Sequence, residues 1–294
     1  MKTKILYLSL VLSFLMIGCS KDNDDNNAAA FTTDEAKVNS QIDMVNDDVS
    51  DIVEAQFSAT MQDNVSGRAA EIGGSSSNLT ACATVTRIPA FGTALTPGTN
   101  VTKTIDFGTS GCALANGNVL KGRIIVTFTY QPEATSQTIN YEFANFYHNA
   151  IKITGNKTFT RTMTTGENAH PVVVMDMDMD ATFPDQRVFH RVGTRTREFI
   201  EGYNTPLNYL NDIHKVTGHW TTTFPNTTIQ TSTITTPVIV KMGCILVNKP
   251  VLVEGVTTFT RNGNTATLDY GNGTCDNLAV FTANGNAYNI VIGN

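Results

Sequence analysis

The sequence contains few charged residues and no basic cluster. Asp, Glu, Lys and Arg make up 16% of its 294 residues, and 26 acidic against 20 basic residues leave a net charge of −6. Nucleic-acid-binding proteins usually present a basic face, so this balance argues against nucleic acid as a partner. Hydrophobic residues make up 41%, which is too many for a disordered chain and enough for a packed core.

The motifs of several enzyme classes are also absent. The sequence has no H-E-x-x-H zinc motif, no G-x-S-x-G nucleophile elbow, no G-x-G-x-x-G and no P-loop. The closest two of its five histidines, His214 and His219, would lie on opposite faces of a strand. We therefore predict no cofactor, and an enzyme is the least favoured class of function.

The N-terminus is typical of an exported lipoprotein. Lys2 and Lys4 precede an apolar run, residues 5–17, which is too short to span a bilayer and matches the core of a signal peptide. The run ends in Met16-Ile17-Gly18-Cys19, which resembles a bacterial lipobox with Met in place of the usual Leu. The resemblance implies cleavage after residue 18 and lipidation of Cys19 with acyl chains such as palmitate. An ordinary signal peptide with a chance cysteine is the alternative.

An acidic segment follows Cys19 directly, within a predicted flexible tether of residues 19–31. It contains Asp22, Asp24 and Asp25. Such a run resembles the export signal of surface lipoproteins of Bacteroidota, and the resemblance implies display on the outer face of the outer membrane. A solvated spacer on a periplasm-facing lipoprotein is the alternative.

Four further cysteines remain in a compartment that permits disulfides. Cys82 and Cys112 are 30 positions apart, and Cys244 and Cys275 are 31 apart. The segments that end at Cys112 and Cys275 both follow the pattern T-x-T-[IL]-D-[FY]-G-x-x-x-C, so the chain contains a duplicated unit. Four cysteines allow three pairings, and the repeat favours Cys82–Cys112 and Cys244–Cys275. No C-x-x-C pair is present, which disfavours a zinc site.

Residues 32–62 are predicted to form an amphipathic helix. Its apolar positions repeat at steps of three and four: Val38, Ile42, Val45, Val49, Ile52 and Val53. The opposite face carries Asp43, Asp47, Asp48, Asp51 and Glu54. Thr32-Thr33-Asp34-Glu35 is a predicted capping box. We expect the apolar stripe to pack on the remainder of the protein, with a free-standing coiled coil as the alternative. A Gly- and Ser-containing linker, residues 63–80, follows.

Residues 81–294 are predicted to form an all-β domain. Polar residues alternate with β-branched and aromatic ones in long runs, of which the clearest are 119–130, 137–147, 151–164, 171–183 and 187–201. Asn-Gly pairs at 116, 262 and 284 predict hairpin turns. The pattern [IV]-x-G-x-x-T-x-T places Gly155, Gly218 and Gly255 inside strands, where glycine marks bulges or bends. We therefore predict a twisted antiparallel meander, barrel-like or a sandwich, that closes wholly or partly.

Two features are weak candidates for ligand sites. Asp176, Asp178 and Asp180 share one face of a predicted strand and are candidate ligands for Ca²⁺, which prefers oxygen. The plainer interpretation is a strand with Met in the core and Asp in water, paired across strands with the arginines at 187, 191, 195 and 197. Trp220, the only tryptophan, is a candidate sugar-stacking platform, and a core position is the plainer interpretation.

The lipobox with its acidic tail and the duplicated D-[FY]-G-x-x-x-C unit resemble those of β-rich surface lipoproteins of Bacteroidota. The resemblance implies location and architecture, and no activity comes with it. We therefore expect a lipid-anchored, non-enzymatic module for binding, adhesion or scaffolding, whose extracellular or envelope ligand the sequence does not specify. A carrier of an apolar small molecule or lipid inside a curled sheet is the alternative, and an envelope hydrolase is third.

Overall fold

The computed structural model describes residues 31–66, 78–205 and 208–293. The predicted signal peptide, Cys19 and the predicted tether up to residue 30 lie outside these ranges. The same holds for positions 67–77 of the predicted linker.

One long helix, α1 (Thr33–Ser66), opens the described chain. It begins with the predicted capping box. The backbone N–H of Glu35 donates to Oγ1 of Thr32 over 3.2 Å, and the backbone N–H of Thr32 donates to Oε2 of Glu35 over 3.1 Å. The helix continues four residues beyond its predicted end at residue 62.

Fourteen strands follow in a single antiparallel sheet. In chain order they are β1 (Thr84–Ile88), β2 (Asn100–Asp106), β3 (Cys112–Ala113), β4 (Val119–Thr129), β5 (Ser136–His148), β6 (Ile151–Met163), β7 (Pro171–Thr182), β8 (Val188–Glu201), β9 (Ile213–Thr223), β10 (Ile229–Lys241), β11 (Leu252–Arg261), β12 (Asn264–Asn272), β13 (Leu278–Ala283) and β14 (Asn286–Val291). Short 3-10 helices at Tyr209–Asn211 and Met242–Val247 lie in two connections. The predicted runs coincide with β4 to β8 to within about one residue at each end. Strict alternation of polar and apolar residues is a local signal that identifies a strand.

The predicted antiparallel meander is confirmed. Each strand pairs with its neighbour in the chain, except that the short β3 pairs only with β4 and leaves β2 and β4 adjacent. The strand order begins at β1 and ends at β14, and these two are not paired with each other. Over the described ranges the sheet is therefore continuous and is not closed into a barrel.

The repeated glycines lie at bends, as the sequence indicates. Gly155, Gly218 and Gly255 have φ angles of 106°, 149° and 104°. At Gly255 the register with β12 shifts, and a Cβ atom would lie 2.4 Å from the carbonyl oxygen of Pro237 on β10. Only glycine tolerates both this left-handed backbone and this close approach, so the bulge bends the sheet at a position that the sequence specifies.

The sheet curls around α1, which fills its concave side. From Val38 to Phe57 every helical residue is buried except Gln41 and Ala55, which are half-buried. Side chains from β2, β5, β6, β8, β11 and β12 all form hydrogen bonds with the helix. The expectation of a helix that packs through one apolar stripe is therefore too simple, since the acidic face is buried as well. The free-standing coiled coil does not occur.

Two disulfides join the cysteine pairs that the repeat favours. They are Cys82–Cys112 and Cys244–Cys275. The repeated units are also alike in local structure. The backbone N–H of Gly108 donates to Oδ1 of Asp106 over 2.8 Å, and that of Gly271 donates to Oδ1 of Asp269 over 2.9 Å. The two repeats, one at the end of β2 and one within β12, therefore share one backbone contact as well as one sequence pattern.

Candidate functional site

The contact between α1 and the sheet is rich in buried charge. Among the described residues, seven basic side chains of the sheet are buried on its concave side: Arg87, Lys103, Lys157, Arg191, Arg195, Arg197 and Arg261. Six acidic side chains of the helix face this side: Glu35, Asp43, Asp47, Asp48, Asp51 and Glu54. An isolated buried charge is costly, so the opposite charges that the helix and the sheet bring together are what make this interior tolerable.

Strand β8 and its entry supply an ordered series of these ion pairs. In order along both elements the pairs are Arg187–Asp34, Arg191–Asp43, Arg195–Asp47 and Arg197–Glu54, at 2.6, 2.7, 3.4 and 3.3 Å. Ten residues of strand span about 33 Å, and twenty residues of helix span about 30 Å. The strand and the helix therefore lie side by side with matched lengths, and the pairs keep the same order on both.

The aspartates of β7 face away from these arginines. Asp176 and Asp178 are exposed on the outer face and Asp180 is half-buried there, while the alternating methionines point into the core. Oδ1 of Asp180 contacts Nδ1 of His190 at 2.8 Å, and Oδ1 of Asp176 accepts a hydrogen bond from Thr194 at 3.0 Å. The predicted pairing of these acids with the arginines is therefore wrong. Among the described residues, no group of three or more His, Cys, Asp or Glu side chains is arranged to hold a metal ion.

Trp220 lies in the core between two arginines. Its side chain is 1% exposed, and the guanidinium carbons of Arg191 and Arg195 lie 5.0 and 5.7 Å from its ring centroid. On β8, Gly193 leaves room for it, because a Cβ atom there would lie 2.4 Å from the Cα of Trp220. Trp220 thus occupies the core position of the plainer interpretation, where its ring is not accessible for stacking on a sugar.

Burial shifts the pKa values of several interior groups. It raises the pKa of Asp51 to about 6, against the opposing effect of Arg197. It raises the pKa of Asp212 to about 7, with a further contribution from the charge of Asp51. Burial also lowers the pKa of Lys157 to about 7 and holds that of His214 well below its usual value. Asp51, Lys157 and His214 are buried and Asp212 is half-buried, so the first consequence of these shifts is for stability.

Asp48 and His148 form the type of pair that acid–base catalysis uses. Nε2 of His148 contacts Oδ2 of Asp48 at 2.7 Å, and the amides of Asn116 and Asn118 each donate to the same carboxylate over 2.7 Å. The two side chains of the pair are only 2% and 5% exposed. No substrate can reach them in this structure, and their contacts join α1 to β5 and to the β3–β4 hairpin.

The space between α1 and the sheet is nearly filled. A small cleft there is lined by Asp47, Glu54, Arg195 and other residues, and its volume is about 10 Å³. This is the volume that a single water molecule needs. A lipid or another apolar ligand has no room in this cleft.

Threonine dominates the outer face of the sheet. One row, here called the outer row, crosses the strands from β2 to β13 in continuous register. It consists of Thr102, Thr127, Asn140, Thr158, Asp176, Thr194, His219, Thr233, Thr258, Thr267 and Thr282. All of these residues are exposed or half-buried. Because neighbouring strands lie about 4.8 Å apart, the row presents polar side chains at a regular spacing, and all but Asn140, Asp176 and His219 carry a hydroxyl group.

A depression of about 370 Å³, here called the outer depression, lies across the outer row over β4, β5 and β6. Its outward-facing lining consists of Ile125, Thr127, Asn140, Glu142, Asn156 and Thr158. The depression is next to a register shift between β5 and β6, which begins after Glu142. Oγ1 of Thr158 donates to Oδ1 of Asn140 over 2.9 Å. The side chains of Glu142 and Asn156 have no hydrogen-bond or ion-pair partner within the described ranges. No motif in the sequence marks these residues as a site.

Comparisons with known proteins give no guide to the function of this site. No known protein family matches the chain, and it has no significant match among curated proteins or solved structures. In the part of the chain that the structure describes, no helix is long and apolar enough to cross a membrane.

Proposed function

We propose that this protein is a lipid-anchored protein of the cell envelope that binds a partner through the outer face of its sheet, without catalysis. The observation that carries the proposal is the contrast between the two sides of the sheet. The concave side is filled by α1, whereas the outer side presents the polar outer row and the outer depression. Ligand sites are typically concave surfaces with a few convergent polar groups, and the outer depression has this form.

Attachment to the outer membrane rests on the lipobox at Cys19 and the acidic residues after it. Thirteen residues separate Cys19 from Thr33, the first residue of α1. Fully extended, a segment of this length spans about 45 Å, which lets the domain stand clear of the membrane surface. Display on the cell surface, with the outer face of the sheet directed to the medium, fits this arrangement.

Two other functions find less support in the geometry. A carrier of an apolar molecule needs an enclosed apolar cavity, and α1 occupies the space that such a ligand would need. A hydrolase needs an accessible acid–base pair beside a ligand site. The His148–Asp48 pair is buried, and the accessible His190–Asp180 pair does not line the outer depression.

Localisation tests the proposal through Cys19→Ala, with Ser20→Ala as the matched control. We expect the wild-type protein and Ser20→Ala to be recovered with outer membranes and to incorporate a labelled palmitate. Cys19→Ala should be recovered in the soluble fraction without label. Protease added to intact cells should digest the wild-type protein.

Each arm has an outcome that contradicts part of the proposal. Membrane recovery of Cys19→Ala would refute the lipid anchor. Survival of the wild-type protein on protease-treated intact cells, with digestion only after lysis, would place the domain in the periplasm.

A further inference from the structure

We infer that the outer depression is a binding site for a neutral glycan chain. This inference rests on the proposed function, because it names the chemistry of the partner that the outer face would bind. It is carried by the side chains of the depression, by its concave form, and by the charges around it.

The lining offers the polar groups that sugar hydroxyls need. Asn140 and Asn156 carry amides that both donate and accept, Glu142 accepts through its carboxylate, and Thr127 does both through its hydroxyl. A sugar ring presents vicinal hydroxyl groups, each a donor and an acceptor. Because Glu142 and Asn156 have no protein partner among the described residues, their hydrogen-bonding groups are open to a ligand. Ile125 supplies an apolar wall against which the C–H groups of a ring can pack.

The charge around the depression selects against anionic ligands. Its lining contains one carboxylate, Glu142, and the outward-facing lining contains no basic side chain. On the next strand, Asp176 lies directly opposite Thr158, and Asp178 lies directly opposite Asn156. This local excess of negative charge opposes phosphate, nucleic acid and acidic polysaccharide. A neutral chain bears no such cost.

The size and the surroundings of the depression suit a chain better than a single small molecule. About 370 Å³ lies within the usual range for small-ligand sites, roughly 300–1,000 Å³. The outer row continues beyond the depression through Thr102 on one side, and through Asp176 and then Thr194 on the other. A polymer that is bound in the depression can therefore meet further polar side chains on the neighbouring strands.

The preference of threonine for strands explains the outer row without any ligand. It does not explain the concave form of the sheet at the β5–β6 register shift, where Glu142 and Asn156 are exposed at the wall of the depression. These two residues are therefore the positions at which the inference can be tested.

The test is a binding titration on the full mature chain that carries Cys19→Ala. Soluble neutral oligosaccharides of the xylan, mannan and glucan types are titrated by calorimetry and by NMR, with oligogalacturonate as the anionic control. We expect at least one neutral series to bind and the anionic one not to bind. Asn156→Ala and Glu142→Gln should each weaken that binding about fivefold or more, because the first removes a hydrogen bond to the ligand and the second replaces a charged acceptor with a weaker neutral one. Asn289→Ala, at an exposed position of β14, is the matched control and should leave binding unchanged.

Thermal unfolding of each variant shows whether its fold is intact, and Glu142→Gln preserves the shape of the side chain. The inference is overturned if no neutral oligosaccharide binds, if oligogalacturonate binds in preference, or if neither variant weakens binding. A surface-displayed, acylated protein that binds no neutral glycan would refute this inference alone. Conversely, if the protein binds a glycan and its Cys19→Ala variant stays with membranes, the lipid anchor is refuted and the glycan site is not.

Discussion

Arg191 on β8 donates from Nη1 to Oδ1 of Asp43 on α1 over 2.7 Å, and both side chains are almost completely inaccessible to solvent. The other carboxylate oxygen of Asp43 accepts a hydrogen bond from the hydroxyl of Tyr270 on β12 at 3.1 Å. One helical carboxylate therefore links a central strand to a strand near the end of the sheet. This contact helps to explain why an open sheet stays curled around the helix.

Arg191→Met should be among the most destabilising single substitutions in this protein. It leaves the charge of Asp43 buried without its nearest partner, and the loss of one member of a buried pair typically costs about 3–5 kcal/mol. Urea unfolding followed by circular dichroism measures this loss. Asp106→Asn breaks the exposed pair with Arg123 and should cost less than about 1 kcal/mol.

The double variant Arg191→Met/Asp43→Asn sharpens this test. Removal of both charges should recover part of the stability lost in Arg191→Met, because no isolated charge remains. A double variant that loses the full sum of the two single effects would show that the pair is not coupled.

Protonation of Asp51 and Asp212 should stabilise the folded protein more at pH 5 than at pH 7. The pKa values of Asp51 and Asp212 are raised from 3.8 to about 6 and about 7. Between pH 4 and pH 7 the folded state therefore holds protons that the unfolded chain has released. This stability is present at the acidic end and is lost as the pH rises through 6 to 7. Asp51→Asn/Asp212→Asn should flatten the profile of unfolding free energy against pH over this range.

His214 should change the stability with pH in the opposite direction, and it therefore serves as a control. Because its pKa is lowered in the fold, the unfolded state binds more protons at His214 below pH 6.5 than the folded state does. His214 therefore makes stability rise with pH in that range. His214→Gln should therefore steepen the decline between pH 5 and pH 7. Parallel profiles for wild type and both variants would contradict the burial of these charges.

Lys157 should make the protein more stable as the pH rises from 7 to 9. Its pKa is lowered from 10.5 to about 7, so the unfolded chain binds a proton over this range that the folded state lacks. The gain is at most about 1.4 kcal/mol per pH unit. Lys157→Met should abolish this slope, and the half-buried Lys152→Met should retain it. An unchanged slope in Lys157→Met would refute the assignment.

Gly255→Ala tests the bend in β11. The new Cβ would meet the carbonyl oxygen of Pro237 at a φ angle of 104°, so we expect a loss of more than about 2 kcal/mol. Gly263→Ala is the matched control, because its φ angle is also positive but its Cβ would meet no atom within 4 Å. It should cost only the backbone strain of about 1 kcal/mol. Equal losses in thermal or urea unfolding would show that the close approach is unimportant.

The strands were predictable because their signals are local. In β6 and β7, alternation shows which residues face inward, and Asn-Gly pairs mark the β11–β12 and β13–β14 turns. The capping box at Thr32 and the pairing of Cys82 with Cys112 likewise follow from spacing or repetition within short segments. Each of these features depends on residues that are near each other in the sequence.

The position of the helix was not predictable from such signals. The partner of Asp48 lies 100 residues away at His148, and that of Asp43 lies 148 residues away at Arg191. One indication was present in the sequence. Lys103 lies on the same face of β2 as the inward-facing Val101 and Ile105. A buried basic side chain is costly unless it is paired, so such a position predicts an acidic partner in the core. The outer depression is formed by residues from three strands, and no comparable pattern in the sequence predicts it.

The enclosed helix has a consequence for the order of folding. The first element of the domain to be synthesised becomes its core, yet the last partner of Asp43, Tyr270, follows it by 227 residues. Until β12 exists, α1 cannot be fully enclosed and its acids are exposed to water. A nascent helix that is acidic on one face is well solvated during this interval, whereas an entirely apolar one would aggregate. The strands meanwhile pair with their immediate neighbours, so the meander can grow around the helix one hairpin at a time.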